Sequence, residues 1–177
     1  MARAREEGKA GAGSALPIQA GPPELDCDGF ASALLAASGL LVNISGRSVG
    51  EVDRRTTLTQ FRTMAVLARG DINLSRLASE LGVNVSTAMR SIDRLIAAGY
   101  ATRQENPLSR REVVLCLTPE GKAFVGLVAE RRRSAIERLL DAMPHESRAG
   151  LIAGLGAFVV TGEQAGIRPA AQSALGW

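Results

Sequence analysis

The sequence predicts a mainly α-helical fold with one small antiparallel β-sheet, and three observations support this class. Apolar residues recur at spacings of three and four along most of the 177-residue chain, as in helices packed on one side. Residues 73–98 form two short helical patterns separated by Leu81-Gly82-Val83. Residues 100–117 then alternate between apolar and polar around a basic tip. This order predicts a helix-turn-helix followed by a β-wing, with long helices on both sides.

The first helix of this unit is defined by four apolar residues and a cap. The apolar residues at helical spacing are Leu74, Leu77, Ala78 and Leu81. Asn73 precedes them, where an N-cap side chain accepts a backbone N–H. Gly82 gives the backbone freedom for a tight turn, and Val83 is expected to fill the core between the two helices.

The second helix is predicted from Asn84 to about Ala98, and Gly99 follows it as a C-cap. Its buried face would carry Ala88, Ile92, Leu95 and Ile96, and its other faces Val85, Ser86, Thr87, Met89, Arg90, Asp93 and Arg94. Short polar side chains in a first helical turn, backed by arginines, suit a helix end that enters a major groove. Asp93 is expected to orient an arginine, such as Arg94 or Arg103, because phosphates would repel its carboxylate.

The wing is predicted as two strands, residues 100–105 and 112–117, joined by a turn that starts at Asn106-Pro107. Arg110 and Arg111 stand at its tip, where they could reach a phosphate backbone or a narrow minor groove. Asp71 and Ile72 could add a short third strand to the same sheet.

Helices are also predicted on both sides of this unit. The one over 25–52 is apolar around most of its circumference, so it must be covered on more than one side, which favours a second copy of the chain. Two more helices are predicted after Thr118, separated by Pro144. The expected organisation is a tail over 1–24, a dimerisation helix over 25–56, the winged helix-turn-helix domain over 57–118, dimerisation helices over 119–163 and a tail over 164–177.

The run L-A-S-E-L-G-V-N-V-S-T-A-M-R-S-I-D-R-L, with the wing and the following L-T-P-E-G, resembles the MarR family of winged-helix transcription regulators. The resemblance covers roughly residues 30–158. It implies a homodimer on palindromic double-stranded DNA, usually a repressor relieved by a small ligand or an oxidant. The chain departs from the family at the wing tip, where Ser109-Arg110 replaces the common Asp-Arg pair and the salt bridge of that Asp is missing or replaced.

The predicted functional residues fall into two groups. The expected DNA-binding residues are Val85, Ser86, Thr87, Arg90, Arg94, Arg110 and Arg111. In the family, effectors often bind where the dimerisation helices meet the winged domain. Here this implies a ligand-binding region near Leu41, Ile44, Arg47, Phe61 and Met64.

Composition and charge fit this interpretation without requiring it. The net charge of +3 permits a nucleic-acid partner, and the apolar fraction of 46% is that of a globular protein. Residues 29–46 carry no charge and approach the length of a membrane span. Ser32, Ser38, Asn43 and Ser45 interrupt this run, so a helix buried against a partner chain is expected. No signal-peptide pattern begins the chain, which favours a cytoplasmic protein without a membrane partner.

Few residues offer catalytic or metal chemistry. Two cysteines form neither a disulfide framework nor a metal cluster, and one histidine leaves little general-base chemistry. Cys116 is interpreted as a packing residue. Some members of the family sense oxidants through a cysteine near the N-terminus, and the resemblance leaves this role open for Cys27, although its neighbours Asp26 and Asp28 disfavour a reactive thiolate. The sequence therefore predicts no enzyme and no cofactor, and it leaves open a protein-interaction module that has lost DNA binding.

Overall fold

The computed structural model describes residues 27–106 and 109–166, and the side chains at 106 and 109–112 lie outside the described part. Within it, the elements in chain order are α1 (Cys27–Val52), α2 (Leu58–Leu67), α3 (Leu74–Leu81), α4 (Val85–Ala97), β1 (Ala101–Asn106), β2 (Ser109–Leu117), α5 (Pro119–Ala142) and α6 (His145–Gln164). The predicted class, mainly helical with a small β-wing, is confirmed.

The chain divides into two units, Met1–Ala36 and Ala37–Trp177. In the first unit, the described residues form the beginning of α1, where Phe30 is 58% exposed and Leu35 is 73% exposed. The second unit contains the hydrophobic core. Its buried members are Val49, Phe61, Met64, Leu67, Leu77, Ala78, Ala88, Ile92, Leu95, Ala101, Leu115, Leu117, Phe124, Val125 and Val128. The apolar faces of α2, α3 and α4 thus meet in one core.

Side-chain caps precede four helices of the described part, and the cap predicted at Asn73 is among them. Thr57 and Gln60 form a complete capping box at α2. Asn73 begins α3, Asn84 begins α4 and Thr118 begins α5, and each side chain accepts the backbone N–H three residues ahead.

The turn between α3 and α4 depends on Gly82, which has a left-handed φ of 67°. The N–H of Val83 donates to the carbonyl of Ala78 (3.0 Å) and that of Gly82 to the carbonyl of Ser79 (3.1 Å). These bonds satisfy the last carbonyls of α3. The expectation that Val83 fills the core between the helices is wrong: the turn leaves its side chain 38% exposed.

The sheet pairs β1 with β2 in antiparallel register, from Ala101 opposite Leu117 to Glu105 opposite Val113. Ile72 forms an isolated bridge with Leu115, so the expected third strand is reduced to one residue beside a two-stranded sheet. After a register irregularity, Asn106 pairs with Ser109, so the second strand begins three residues earlier than the predicted Glu112. The backbone of both wing arginines therefore belongs to a strand, because the ladder continues almost to the tip.

The C-terminal end of α4 is joined to the start of α5. The Thr118 hydroxyl donates to the carbonyl of Gly99 (2.7 Å), and its N–H donates to the carbonyl of Tyr100 (3.1 Å). Gly121 lies against the same Tyr100 carbonyl, and the Tyr100 ring packs on Phe124 with centroids 5.0 Å apart. The position of α4 is therefore linked to α5 through several contacts.

The terminal helices bury little in a single chain. Of the 26 residues of α1, only Ile44, Ser45, Ser48 and Val49 are buried, and none of the 20 residues of α6, all within the described part, is buried. By length and composition, α1 could also cross a membrane, a test that core helices of soluble proteins pass as well. Both helices therefore present apolar surface that the single chain leaves uncovered.

Candidate nucleic-acid interface

Helix α4 has one buried face and one exposed polar face. Ala88 and Ile92 are fully buried and Leu95 is 1% exposed, so this face is fixed in the core. Ser86 and Arg90 are exposed, and Thr87 is half-buried. The predicted division of α4 into a buried apolar face and an exposed face is confirmed. The start of the helix is therefore accessible to a partner.

The polar side chains at the start of α4 form one hydrogen-bonded group. The Asn84 amide oxygen accepts the N–H of Thr87 (2.8 Å) and the hydroxyl of Ser86 (2.8 Å). The Arg90 guanidinium donates to the Thr87 hydroxyl (3.3 Å). Ser86, Thr87 and Arg90 are thus brought together, and the guanidinium keeps further donors for a ligand.

The remaining predicted residues of α4 flank this group. Val85, the first helical residue, is 47% exposed. Arg94 is exposed in the last turn. A cation in that position is stabilised by the negative end of the helix dipole, and it is also available to bind a phosphate.

Behind the exposed face, a hydroxyl pair that the sequence analysis missed joins α4 to α2. Thr63 is fully buried, and its hydroxyl lies 2.8 Å from that of Ser91 and 3.0 Å from the carbonyl of Thr59. A specific hydrogen bond thus supports the position of α4 on α2, in addition to apolar contact. The sequence offered only a weak signal for this pair, because each residue simply carries a hydroxyl group and stands next to a core residue.

The wing is tied to α4 by an ion pair. Asp93 accepts from the guanidinium of Arg103 on β1, with side chains 50% and 44% exposed. The expectation that Asp93 orients an arginine is confirmed, with Arg103 as the partner. The same guanidinium lies 3.5 Å from the Met89 sulfur. A cavity of about 370 Å³ adjoins this contact and is lined by Leu74, Met89, Arg103, Val113 and Leu115.

The two wing arginines are described only in part. The backbone of Arg110 and Arg111 lies in β2, next to the wing tip, and their side chains lie outside the described residues. Their part in DNA binding therefore stays a prediction.

The five residues of the predicted ligand region lie in different environments. Phe61 and Met64 belong to the core and Ile44 is 8% exposed, whereas Leu41 is 42% exposed. Arg47 lines an open groove of about 850 Å³ with Gly50, Glu51, Val52, Asp53, Arg54, Arg55 and Arg131. Arg131 forms an ion pair with Glu51 there (3.1 Å). Because four arginines and two carboxylates line the groove, it carries more cations than anions.

The described residues include no group of three metal-ligating side chains. Cys27 is exposed and Cys116 is buried. Burial, with a smaller effect from Asp71, raises the pKa of the Cys116 thiol to about 11. A thiol with this pKa stays protonated at neutral pH, which agrees with a packing role for Cys116.

A capped helix-turn-helix whose second helix exposes hydroxyls and arginines, followed by a two-stranded wing, defines a winged helix-turn-helix protein. The model of the MarR family matches residues 56–112. The chain is 35% identical over 69 residues to the multiple antibiotic resistance protein MarR of Salmonella typhimurium. This match covers 38% of this chain and 48% of that protein. The chain thus spans about half the length of the curated relatives it matches first.

Solved structures extend the match over most of the chain. RV1404 from Mycobacterium tuberculosis is 42% identical, with a TM-score of 0.74 over 80% of this chain and 98% of that one. FabT of Streptococcus pneumoniae, solved in complex with DNA, shares the fold at 24% identity, with a TM-score of 0.65 over 78% and 99% of the two chains. The chain belongs to the MarR family and has the fold of its transcriptional regulators.

Proposed function

We propose that this protein is a sequence-specific DNA-binding transcriptional regulator, a homodimeric repressor of a palindromic operator. The observation that carries the proposal is the start of α4, where Ser86 and Arg90 are exposed while the opposite face is buried. A helix fixed in this way can enter a major groove and touch base edges. Two copies would place their α4 helices in successive major grooves, roughly 34–36 Å apart.

We assign a role to each polar residue among the predicted DNA-binding residues. Ser86, Thr87 and Arg90 would read base edges, and Arg90 is the strongest candidate because a guanidinium can bond the O6 and N7 of a guanine. Arg94 would contact phosphate, which positions the protein without reading sequence. The wing arginines Arg110 and Arg111 would contact the backbone or the minor groove next to the half-site.

The homodimer is supported by the uncovered terminal helices. In α6 the residues Leu151, Ile152, Leu155, Phe158, Val159 and Val160 are 37–71% exposed. A second copy would remove this surface from water, and burial of apolar area is the main stabilising term in association. We therefore assign residues 25–56 and 119–163 to dimerisation, and the same association would cover α1 in a cytoplasmic protein.

Release by a small ligand is part of the proposal. An effector bound where α1 and α2 approach each other would change the distance between the two α4 helices, and only one distance fits the operator. Arg47 at the cationic groove is the residue of the predicted region that an anionic effector would meet. Binding of the effector would also shift the neighbouring apolar side chains of α1 and α2, which are Leu41, Ile44, Phe61 and Met64.

Two structural relatives support DNA as the partner. FabT of Streptococcus pneumoniae was solved in complex with DNA, and a mutant of the S. aureus protein MepR was solved bound to an oligodeoxyribonucleotide. Both share the fold of this chain at low sequence identity. The competing hypothesis is a winged-helix module that binds a protein and has no preference among DNA sequences.

Selection of bound duplexes from a random pool by the purified full chain tests the proposal. We expect a palindrome with half-sites about one helical turn apart. Mobility-shift titrations of that duplex at several salt concentrations should then show Arg90→Ala weakening the complex. An unenriched pool, or indifference to Arg90→Ala, would favour the protein-interaction module.

A further inference from the structure

The outward face of α4 contains two apolar side chains among the polar ones. Val85 is 47% exposed and Met89 is 41% exposed, although the apolar residues of the opposite face are almost completely buried. They are four positions apart and therefore lie one turn from each other on the same side of the helix. Ser86 and Arg90 each follow one of them in sequence, so apolar and polar groups share the same end of α4.

Val85 has little side-chain freedom, and Met89 has a defined neighbour on β1. Val85 is β-branched, and a helix leaves such a residue one strongly preferred χ1 rotamer. Met89 is flexible by itself, but its sulfur contacts the Arg103 guanidinium, which Asp93 holds in turn. Binding a partner would therefore cost the Val85 side chain little conformational entropy.

The chemistry of the major groove limits what these side chains can contact. Phosphate and sugar contacts use charged and hydrogen-bonding groups, which neither side chain offers. Among the four standard bases, the C5-methyl group of thymine is the apolar feature displayed in that groove. Methyl groups of Val85 or the thioether of Met89 against this methyl would remove apolar surface from water on both partners.

We infer that Val85 and Met89 are specificity-determining residues, which select thymine in the operator half-site by packing against its C5-methyl group. The inference rests on the proposed function and deepens it. It assigns apolar readout to one side of the α4 start and leaves hydrogen-bonded readout to Ser86 and Arg90. Each operator half-site therefore contains at least one thymine whose methyl group matters.

Deoxyuridine substitution tests this inference, because uracil lacks only the C5-methyl group and keeps the hydrogen-bonding edge of thymine. Each thymine of the selected half-site is replaced singly, and duplex affinity is measured for the full-length chain. At one or two thymines we expect a loss of about fourfold per methyl group removed. Other thymines in the duplex should tolerate the change.

Two variants complete a double-mutant cycle with each sensitive thymine. Val85→Ser and Met89→Ala should weaken binding to the thymine duplex, and one of them should abolish the further loss caused by uracil at its partner base. Ala97→Ser, which adds a hydroxyl at an exposed position in the last turn of α4, serves as a control and should leave the uracil effect unchanged. Matching thermal midpoints of the variants would show that the fold is intact.

The outcomes separate this inference from the proposed function. A chain that selects an operator but is indifferent to every thymine methyl, or whose uracil loss is equal in wild type and both variants, overturns the inference alone. A chain that selects no duplex overturns the proposed function and the inference together.

Discussion

Gly121, in the first turn of α5, lies directly against the carbonyl oxygen of Tyr100, and a Cβ added to this glycine would overlap that oxygen. The same carbonyl accepts the N–H of Thr118. The segment that follows α4 and the start of α5 therefore meet at a point where only a hydrogen atom fits. This contact gives a mechanical connection between the proposed dimer arm and the proposed reading helix.

Gly121→Ala should destabilise the protein, because the added methyl group forces the backbone of Tyr100 or of α5 to move. We expect a loss of about 1–3 kcal/mol, as for overpacked sites. Gly126→Ala is the matched control in the same helix, since a Cβ there meets nothing within 4 Å. It should stabilise by about 0.5–1 kcal/mol through helix propensity. Urea unfolding at one protein concentration measures both, and an equally stable Gly121→Ala would contradict the described contact.

The buried pair of Thr63 and Ser91 should be strongly non-additive. Thr63→Val leaves the Ser91 hydroxyl without this partner and should cost about 1–3 kcal/mol. Thr63→Val combined with Ser91→Ala removes both polar groups and should recover much of that loss. Thr59→Val, at an exposed position of the same helix, serves as the control. Additive losses in chemical denaturation would mean that the two hydroxyls do not interact.

The ion pair between Asp93 and Arg103 should contribute little to stability. Both side chains are about half exposed, so water and salt screen the attraction. A cycle of Asp93→Ala, Arg103→Ala and the double variant should give a coupling of about 0.2–1 kcal/mol. The coupling should shrink at high ionic strength. A value several times larger would show that the pair is desolvated in the functional assembly.

Arg90 and Arg94 should affect DNA binding in different ways. Arg90→Ala should weaken binding to the selected operator by about 10- to 100-fold and relax the preference at one base pair. Arg94→Ala should weaken operator and unrelated duplexes alike and reduce the slope of log affinity against log salt by about one. Titrations of each variant on both duplexes distinguish the roles. The same change for both arginines would refute the division into base and phosphate contacts.

Cys116 should resist thiol reagents in the native protein. Its pKa is raised to about 11 by burial, so the folded state favours the neutral thiol. The resulting contribution to stability is fully present below the unfolded-state pKa, near 9.0, and is lost as pH rises through about 11. Cys27→Ser leaves only Cys116, whose labelling at pH 8 should be slow until denaturant is added. Cys116→Ser leaves the exposed Cys27 and should label quickly, and rapid labelling of both would contradict the burial of Cys116.

Local patterns predicted the parts of this fold that depend on neighbouring residues. The cap at Asn73, the glycine turn at Gly82 and the buried face of α4 follow from sequence spacing alone. The partners of Ser91 and Glu51 do not, because Thr63 is 28 positions away and Arg131 is 80 positions away. The surface position of Val83 was also missed, since it depends on how the glycine turn directs the backbone rather than on hydrophobicity.

None of the twenty residues of α6 is buried in the single chain, and this exposed surface affects how the protein folds and persists in a cell. In the proposed homodimer, a newly made chain would expose this apolar surface until it met a second copy, so folding and dimerisation would be one concentration-dependent event. At low protein concentration, chains would stay monomeric for longer and be degraded more readily. Gene dosage would thus set both the number of regulators and the fraction of them that survives.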